Sequence, residues 1–494
     1  MRTHDDVNSR FIRLDSNQVI LGAAFRGWWA WPIVKERLWL YCLNDRVDES
    51  QSQRKKITEV LRRLSSGIWQ ISLNLLFSFT KVGAVFYEGR SVSLPDGRRL
   101  HPHLGSLERL ERSGPWLHYR FPWAKVGRRF PCLGEIEDYG ISSVVAVFAS
   151  VLRFKSEERM VGRQIASELL KEFPELDAEV LYRITSDQLA RFSLRFLFSR
   201  HLLARSQVKT VIVLDSDGKI PEIAAAKSLG LNVSEVQHGM FSTREPDYSW
   251  QEFHREVPLK LPLPDTQVVF GEVWAEQLRE AGYWSQENIV VARNPLISEY
   301  HRLFLRQREA RKTSEARPLQ VLFPTQGYVR EAAVKFWVSV LEASNHLQTN
   351  FFQLSIKVHP LERDYTRDYS ELAEKYADRV SIISEDIESF DAMLSADVVV
   401  GYTSLMMVEA IGIGLPVIGL EGQSIGAGIA KTFRMPELAN YIFPCAGEEE
   451  FFRIVRLMVS DYKDSLNGCS GVASPTEGGI YCLDGPSVED LLID

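Results

Sequence analysis

Short runs of consecutive apolar residues alternate with stretches of helical spacing along most of this chain. The clearest run is Thr210–Leu214, and similar runs recur downstream. A short continuous apolar run is typical of a strand covered on both faces, as in a parallel sheet. The predicted strands of this part of the chain are residues 210–214, 232–236, 267–270, 289–292, 319–323, 352–356, 380–383, 397–400 and 416–418. Helical spacing between these runs predicts an α/β fold with parallel sheets.

The N-terminal part of the chain has a different pattern. Residues 1–80 show mostly helical spacing and contain four tryptophans between positions 28 and 39, with Pro32 at a position that suits a helix first turn. We expect this helical segment to pack on the following domain, and a helix lying on a membrane surface stays open as an alternative. Residues 82–87 are predicted as a strand. Residues 141–148 fit either a strand or a buried helix.

Prolines at positions 258, 262 and 264 suggest a crossing between two α/β halves. The predicted domains are the helical segment 1–80, a Rossmann-like domain at 81–264, a second Rossmann-like domain at 265–464, and a loosely ordered tail at 465–494 rich in Gly, Ser and Pro. Two such halves are expected to face a cleft, which is a favoured place for a ligand.

Composition narrows the class of protein without naming a function. The 494 residues are 45% hydrophobic and 25% charged, as in ordinary soluble proteins, and the net charge of −7 gives no support for a nucleic-acid partner. Five scattered cysteines without metal-ligand spacing predict reduced thiols and a cytoplasmic setting. The polar start predicts no signal peptide, and the apolar stretch 68–86 is interrupted by polar residues, so no transmembrane helix is predicted.

The strongest chemical signal lies at two predicted strand ends. Residues 352–356 run into Lys357, His359 and Pro360, and residues 397–400 run into Thr403 and Ser404 before an apparent helix. In an open α/β sheet the carboxyl ends of strands and the following helix N-termini form the ligand crevice. A cation, an imidazole, two hydroxyls and a helix N-terminus there predict a phosphate site. Ser and Thr are also preferred helix N-caps, and a histidine before a proline can be structural.

Polar residues also follow two predicted strands in the first half of the chain and one predicted strand in the second half. Asp215 and Asp217 follow the strand at 210–214, and His238 follows the strand at 232–236. A carboxylate at such a place suits a general base, with Asp217 favoured over Asp215 and His238 as the alternative base. Asx-turn chemistry before a helix is the competing explanation for the aspartates. Gln326, after the strand at 319–323, is a further candidate for ligand contact.

Several of these segments resemble one group of proteins. The residues that carry the resemblance are 224–239, 269–274, 357–360, 403–404, 409–410 and 414–417. They are similar to bacterial surface-polysaccharide glycosyltransferases of the two-domain GT-B type, a group that includes capsule and lipopolysaccharide transferases, sialyltransferases, Kdo transferases and CDP-glycerol glycerophosphotransferases. The resemblance covers about residues 205–422. The chain departs from it at Arg293-Asn294-Pro295, where relatives usually have Gly-x-Pro, and in an acidic signature that is one residue longer.

The resemblance implies a metal-independent transferase with a nucleotide-sugar co-substrate and no other cofactor. It implies that His359 contacts the donor phosphate, that Glu409 binds ribose hydroxyls, and that the aspartate signature supplies the base. A CMP-linked donor fits best, and the acceptor would be a glycan or lipid-linked glycan. Peripheral association with the cytoplasmic face of the inner membrane stays open.

Two other functions remain open at this point. Non-hydrolysing UDP-sugar 2-epimerases share the two-lobed fold, although they would need a denser set of acids and a basic cluster around the nucleotide. A non-catalytic scaffold of a polysaccharide assembly complex would keep the fold and tolerate the two departures.

Overall fold

The computed structural model divides the chain into two compact units. The first comprises Met1–Val269, Ala275–Val290 and Val488–Asp494, and the second comprises Phe270–Trp274 and Val291–Ser487. The described residues are 4–44, 81, 83–88, 92–112, 116–121, 135–152, 156–214, 216–242, 248–311, 317–326, 329–346, 351–359, 367–383, 387–402, 404–420, 441–464 and 479–493.

The first unit begins with a helical segment that contains a small hairpin. Its elements are α1 (His4–Asp15), α2 (Gln18–Leu21), β1 (Ala24–Phe25), β2 (Trp28–Trp29) and α3 (Ala30–Asn44). The hairpin turns through Arg26 and Gly27, which both have positive φ. This agrees with the predicted helical character of residues 4–44, and residues 45–80 lie outside the described part of the chain.

Three of the tryptophans in this segment are buried inside the first unit. Trp28, Trp29 and Trp31 are at most 3% exposed, and the Trp31 indole N–H donates to Asp15 Oδ1 at 2.7 Å. The same aspartate pairs with the buried ammonium of Lys35 at 2.9 Å. These three aromatic side chains therefore serve packing within the unit and are not presented to a bilayer.

A seven-stranded sheet forms the centre of the first unit. Its strands are β3 (Gly83–Glu88), β6 (Trp116–Phe121), β7 (Glu135–Glu137), β8 (Thr210–Leu214), β9 (Asn232–Val236), β10 (Thr266–Val269) and β11 (Ile289–Val291). The strand order is β11-β10-β9-β8-β3-β6-β7, and the pairs from β10 through β7 are parallel. A separate antiparallel hairpin of β4 (Val92–Ser93) and β5 (Arg99–Leu100) follows β3.

Further helices of the first unit are α4 (Leu107–Arg112), α5 (Asp138–Leu152), α6 (Ser156–Glu172), α7 (Ala178–Ser206) and α8 (Ile220–Ser228). Of these, α5, α7 and α8 pack apolar residues against the sheet. Residues 141–148, which fit either a strand or a helix by pattern, lie in α5. Its Ile141 and Val145 join Val211, Val213 and Val233 in one apolar core.

A six-stranded sheet forms the centre of the second unit. Its strands are β12 (Leu319–Pro324), β13 (Phe352–Lys357), β14 (Val380–Ile383), β15 (Val398–Gly401), β16 (Val417–Leu420) and β17 (Ile442–Cys445). They lie in the order β14-β13-β12-β15-β16-β17, and all neighbouring pairs are parallel. The covering helices are α10 (Pro295–Arg311), α11 (Arg330–His346), α12 (Arg367–Lys375), α13 (Ser389–Ser395), α14 (Leu405–Ile413) and α15 (Glu448–Asp464).

Two features differ from the predicted domain limits. The strands β10 and β11, which follow the proline segment, pair within the first sheet, whereas the division was predicted before them. Helix α9 (Glu272–Ala281) spans the change of unit between Trp274 and Ala275. An apolar run predicts a strand but does not say which sheet it joins, so the proline cluster alone misplaces the change of unit.

The end of the chain also differs from the predicted loose tail. The carbonyl of Ile480 accepts from the Trp274 indole N–H at 2.8 Å, and the carbonyl of Gly479 accepts from the Val273 N–H at 3.1 Å. The last helix, α16 (Val488–Ile493), returns to the first unit and packs on α4. Hydrogen bonds to these backbone carbonyls hold the segment, and residues 479–493 are thus part of the fold, while residues 465–478 of the predicted tail lie outside the described part of the chain.

These two parallel sheets with helical layers confirm the predicted fold class of two Rossmann-like, doubly wound domains. No helix among the described residues is long and apolar enough to cross a membrane.

Candidate functional site

Each sheet has one place where its strand order reverses. In the second unit the chain builds β13 and β14 on one side of β12, and β15, β16 and β17 on the other side. In the first unit it builds β6 and β7 on one side of β3, and β8 to β11 on the other side. Ligands of open α/β sheets bind outside the carboxyl ends of the strands at such switch points. The switch points are therefore β12/β15 and β3/β8.

We call the carboxyl ends of β12, β13 and β15 the second edge. The loops after β12 and β13 are joined here by Thr325, because its Oγ1 accepts from the His359 backbone N–H at 2.9 Å. The Thr325 N–H in turn donates to the Lys357 carbonyl at 3.0 Å. The His359 side chain is exposed, whereas Thr325 is buried. The fold thus fixes the backbone directly before the His359 side chain, which faces solvent.

Lys357 is buried at the end of β13. Its Nζ donates to the Ile387 carbonyl at 2.7 Å. This contact ties the end of β13 to the segment that follows β14. A role for the ammonium in phosphate binding remains a prediction, as does any role for Pro360, which lies outside the described residues.

The end of β15 leads directly into a helix N-terminus. Ser404 is the N-cap of α14, and its Oγ accepts from the Met406 N–H at 3.3 Å. A side chain at Gly401 would place a Cβ 2.9 Å from Met407 Sδ and 3.6 Å from Pro324 Cγ. The glycine therefore leaves room for Met407 of α14 against the end of β15, while the distance to Pro324 is an ordinary van der Waals contact. Thr403 lies outside the described residues.

Gln326 and Glu409 occupy different places around this edge. The carbonyl of Gln326 accepts from the Val329 N–H at 3.1 Å, immediately before α11. Glu409 is half-buried on α14, and its charge adds to burial in raising the pKa of Tyr481. Tyr481 packs against Gly412 of α14. The predicted contact of Glu409 with ribose hydroxyls is not tested by these contacts.

We call the carboxyl ends of β3, β8 and β9, with the loops that follow them, the first edge. Of the two predicted bases, Asp215 lies outside the described residues, and the backbone of Asp217 begins a short 3-10 turn that runs to Lys219. The Ser216 N–H donates to Glu235 Oε1 at 3.1 Å, and the Ser216 carbonyl accepts from the Lys219 N–H at 3.0 Å. The turn that carries Asp217 therefore rests on a buried carboxyl group of β9.

His238 also belongs to the first edge, as its position after β9 predicts. It is exposed, and its ring lies edge-on to that of His103 with 6.5 Å between the centroids. The turn before His103 is held by His101, whose Nδ1 accepts from the N–H groups of His103 and Leu104, both at 3.2 Å. Two imidazoles from different strand ends thus lie together.

Three residues of these edges carry no signal that sequence reasoning used. They are His103, Glu235 and Thr325. His103 belongs to a His-Pro-His triplet, which is a visible feature of the sequence. Glu235 lies inside a predicted strand, where a charge at a buried position is a signal in itself.

The unusual Arg293-Asn294-Pro295 sequence has a local structural role. Asn294 accepts from the Ile297 N–H at 2.9 Å at the start of α10, which begins at Pro295. The Arg293 N–H donates to the Pro486 carbonyl at 2.9 Å. The C-terminal segment thus contacts Arg293, which stands where relatives usually have the glycine of Gly-x-Pro.

Among the described residues, no three His, Cys, Asp or Glu side chains are grouped as they would be around a metal ion. A metal-independent mechanism therefore remains a prediction.

No protein-family model matches the sequence, and no curated protein matches it significantly. Among solved structures, the chain is similar to the UDP-GlcNAc 2-epimerase from Methanocaldococcus jannaschii, with 11% identity, 83% of this chain and 98% of that chain covered, and a TM-score of 0.45. It is similar to a putative UDP-N-acetylglucosamine 2-epimerase from Listeria monocytogenes, with 13% identity, 84% and 95% coverage, and a TM-score of 0.44. For UDP-GlcNAc 2-epimerase from Neisseria meningitidis bound to UDP-GlcNAc, identity is 12%, coverage 62% and 80%, and the TM-score 0.40.

These neighbours are named as epimerases, and none of the three is a sialyltransferase, a Kdo transferase or a CDP-glycerol transferase. At these TM-scores the similarity does not identify a reaction. The fold class rests on the two parallel sheets of the chain itself.

Proposed function

We propose that the protein is an enzyme that acts on a nucleotide-linked sugar and binds the nucleotide phosphate at the second edge. The observation that carries this proposal is the switch point between β12 and β15. There the capped N-terminus of α14 follows β15, and the Thr325–His359 contact follows the neighbouring strands β12 and β13. Helix N-termini and N–H donors favour an anion at such a place.

In this proposal the two edges have different chemical roles. Donors at the second edge stabilise the charge that develops on the departing nucleotide phosphate. A group at the first edge, Asp217 or alternatively His238, transfers the proton of the sugar or acceptor. Thr403, Ser404, His359 and Lys357 are the proposed phosphate contacts, with Gln326 and Glu409 as further donor contacts.

The first candidate reaction, which the sequence resemblance implies, is glycosyl transfer to a surface polysaccharide or glycolipid. In this reaction the base takes the proton of the acceptor hydroxyl, and the nucleotide leaves with the electrons of its bond to the sugar. A CMP-linked donor remains a prediction. A non-catalytic scaffold is the alternative if no nucleotide binds.

The second candidate reaction is epimerisation of a UDP-sugar, the activity for which the similar solved structures are named. The observation on this chain that favours it is the number of ionisable groups at the first edge. His103 lies beside the predicted His238, so with the predicted aspartates this edge holds one more acid or base group than the sequence indicates. Moving a proton off and onto one sugar carbon needs such groups on both sides of the carbon.

A thermal-shift screen against CMP, CDP, UDP and GDP tests the proposal. Ligand at about 100 times its Kd raises the free energy of unfolding by about 2.7 kcal/mol. We expect a shift with one nucleotide that disappears in His359→Ala. The matched control is His346→Ala, which removes an exposed histidine at the end of α11. A full shift in both variants, or no shift with any nucleotide, would contradict the proposed site.

Product analysis with UDP-GlcNAc separates the two reactions. An epimerase converts it, without an acceptor, into an isomer in which the nucleotide is still attached. A transferase releases free nucleotide.

A further inference from the structure

Glu235 is a carboxyl group buried in the interior of a parallel sheet. It lies in β9, where its neighbours in the strand register are Val213 of β8 and Gln267 of β10. Its exposed fraction is 0%. Burial of an acidic group is costly unless hydrogen bonds compensate it, so the presence of this side chain needs a reason.

Three donors from three different parts of the chain meet this carboxyl group. Its Oε1 accepts from the Ser216 N–H at 3.1 Å and from the Tyr248 hydroxyl at 3.0 Å, and its Oε2 accepts from Gln267 Nε2 at 2.8 Å. Ser216 and Gln267 are themselves buried. The network therefore connects the turn after β8, the segment at Tyr248 and the neighbouring strand β10.

The donors to Glu235 among the described residues are all neutral, unlike the partners of two other buried glutamates in this unit. Glu222 pairs with Arg195 at 2.9 Å, and Glu158 pairs with Arg26 at 3.4 Å. A buried carboxylate that serves only the fold is usually compensated by a cation. Burial raises the pKa of Glu235, and the hydrogen bonds from Gln267, Ser216 and Tyr248 partly oppose that rise.

We propose that Glu235 is a positioning residue that fixes the turn beginning at Ser216, and through it the backbone of Asp217, at the switch point between β3 and β8. This inference rests on the proposed function, in which Asp217 transfers a proton. A general base must be held within hydrogen-bond reach of the proton it takes, and small displacements reduce the rate strongly. The only described backbone group of the turn that reaches Glu235 is the Ser216 N–H, directly before Asp217.

The test compares Glu235→Gln, Glu235→Ala and the control Glu158→Ala. In Glu235→Gln the side chain keeps an oxygen that accepts from the Ser216 N–H. Its new amide N–H₂ group can donate to the side-chain oxygen of Gln267 once the Gln267 amide is rotated. Alanine removes the acceptor. Glu158→Ala also removes a buried glutamate of the first unit, but one that pairs with Arg26 and not with the turn.

Hydrogen exchange at residues 216–219 and turnover are measured for each variant. The turnover probes are UDP-GlcNAc and CMP-linked sialic acid, followed as loss of the intact donor. We expect Glu235→Ala to expose the Ser216 amide to exchange and to reduce kcat about a hundredfold with KM little changed. Glu235→Gln should restore both values towards wild type, and Glu158→Ala should change neither at equal folded fraction.

Unchanged exchange at Ser216 in Glu235→Ala would overturn the inference, and so would faster exchange with unchanged kcat. If the wild type consumes neither donor and also binds no nucleotide, the proposed function is wrong. The exchange measurement still decides in that case whether Glu235 holds the turn.

Discussion

The two switch points of this chain are built from different chemical groups. At the second edge the contacts are a hydroxyl, backbone N–H groups and a capped helix N-terminus, centred on Thr325, His359 and Ser404. At the first edge a buried carboxyl group, Glu235, supports the turn that contains Asp217, and two imidazoles lie nearby. The same fold element thus presents hydrogen-bond donors in one unit and acid–base groups in the other.

This difference predicts different effects of substitutions at the two edges. Donors and a helix N-terminus stabilise a phosphate without changing their own protonation state. Carboxyl and imidazole groups can accept or release a proton near neutral pH when their surroundings shift their pKa values. Changes at the first edge should therefore alter the rate, whereas changes at the second edge should alter nucleotide affinity.

The largest effect is expected from Asp217→Asn at the first edge. Loss of a general base reduces the rate by about 10²- to 10⁴-fold, while nucleotide affinity should remain unchanged. Steady-state kinetics and calorimetric titration measure the two quantities. Asp187→Asn, an aspartate paired with Arg191 on the surface of α7, is the control. A wild-type rate in Asp217→Asn would move the role of base to His238.

Thr325→Val should weaken nucleotide binding at the second edge without the large loss of rate expected from a substitution at the first edge. Valine has a similar shape but leaves the His359 N–H without its acceptor, which costs about 1–3 kcal/mol for a buried donor. We expect nucleotide affinity to fall about tenfold, with kcat affected much less than by Asp217→Asn. Thr325→Ser keeps the oxygen and should bind nearly as the wild type does. Equal affinity in the valine and serine variants would show that the contact does not support the ligand site.

Ser404 allows its capping role to be distinguished from a role in binding phosphate. Ser404→Ala removes the N-cap and should lower the free energy of unfolding by about 1 kcal/mol. Aspartate is as good an N-cap as serine, so Ser404→Asp should keep that stability. Its negative charge at the helix N-terminus should nevertheless weaken binding of a phosphate. Undiminished nucleotide affinity in Ser404→Asp, measured by calorimetry, would argue against a phosphate there.

The smallest effect is a change in how stability depends on pH. The pKa of Glu235 is higher in the folded than in the unfolded protein, so the folded state holds more protons between these two pKa values. The contribution of Glu235 to stability is present below its unfolded pKa and declines as pH rises through its folded pKa. Glu235→Gln has no carboxyl group to titrate at this position. Its free energy of unfolding relative to that of the wild type should therefore rise as pH increases from the unfolded to the folded pKa of Glu235. Urea unfolding at several pH values measures the difference, and parallel curves would contradict it.

The sequence predicts the strands of the second sheet well because each is a short apolar run with polar ends. Val380–Ile383 agrees to the residue, and β12, β13, β15 and β16 agree within one or two residues at their ends. The short strands β7 and β17 were not predicted, since Glu135–Glu137 and Ile442–Cys445 lack a clear run.

The candidate site is predictable only as far as strand ends are predictable. The positions of His238, His359 and Ser404 after strands follow from the sequence and agree with the structure. Contacts such as Thr325 with His359, or Glu235 with Ser216, join residues distant in sequence and leave no mark in local pattern. For the same reason the composition of the tail does not reveal that Gly479 and Ile480 bond to α9.

Hydrogen exchange of the wild-type protein with and without saturating nucleotide tests most directly whether the nucleotide phosphate binds at the second edge. The nucleotide is the one selected by the thermal-shift screen, and exchange is followed at every peptide of both units. We expect protection at the second edge, in residues 324–326, His359 and the first turn of α14, where the proposed phosphate binds. Protection confined to the first edge, or none at either edge, would contradict it.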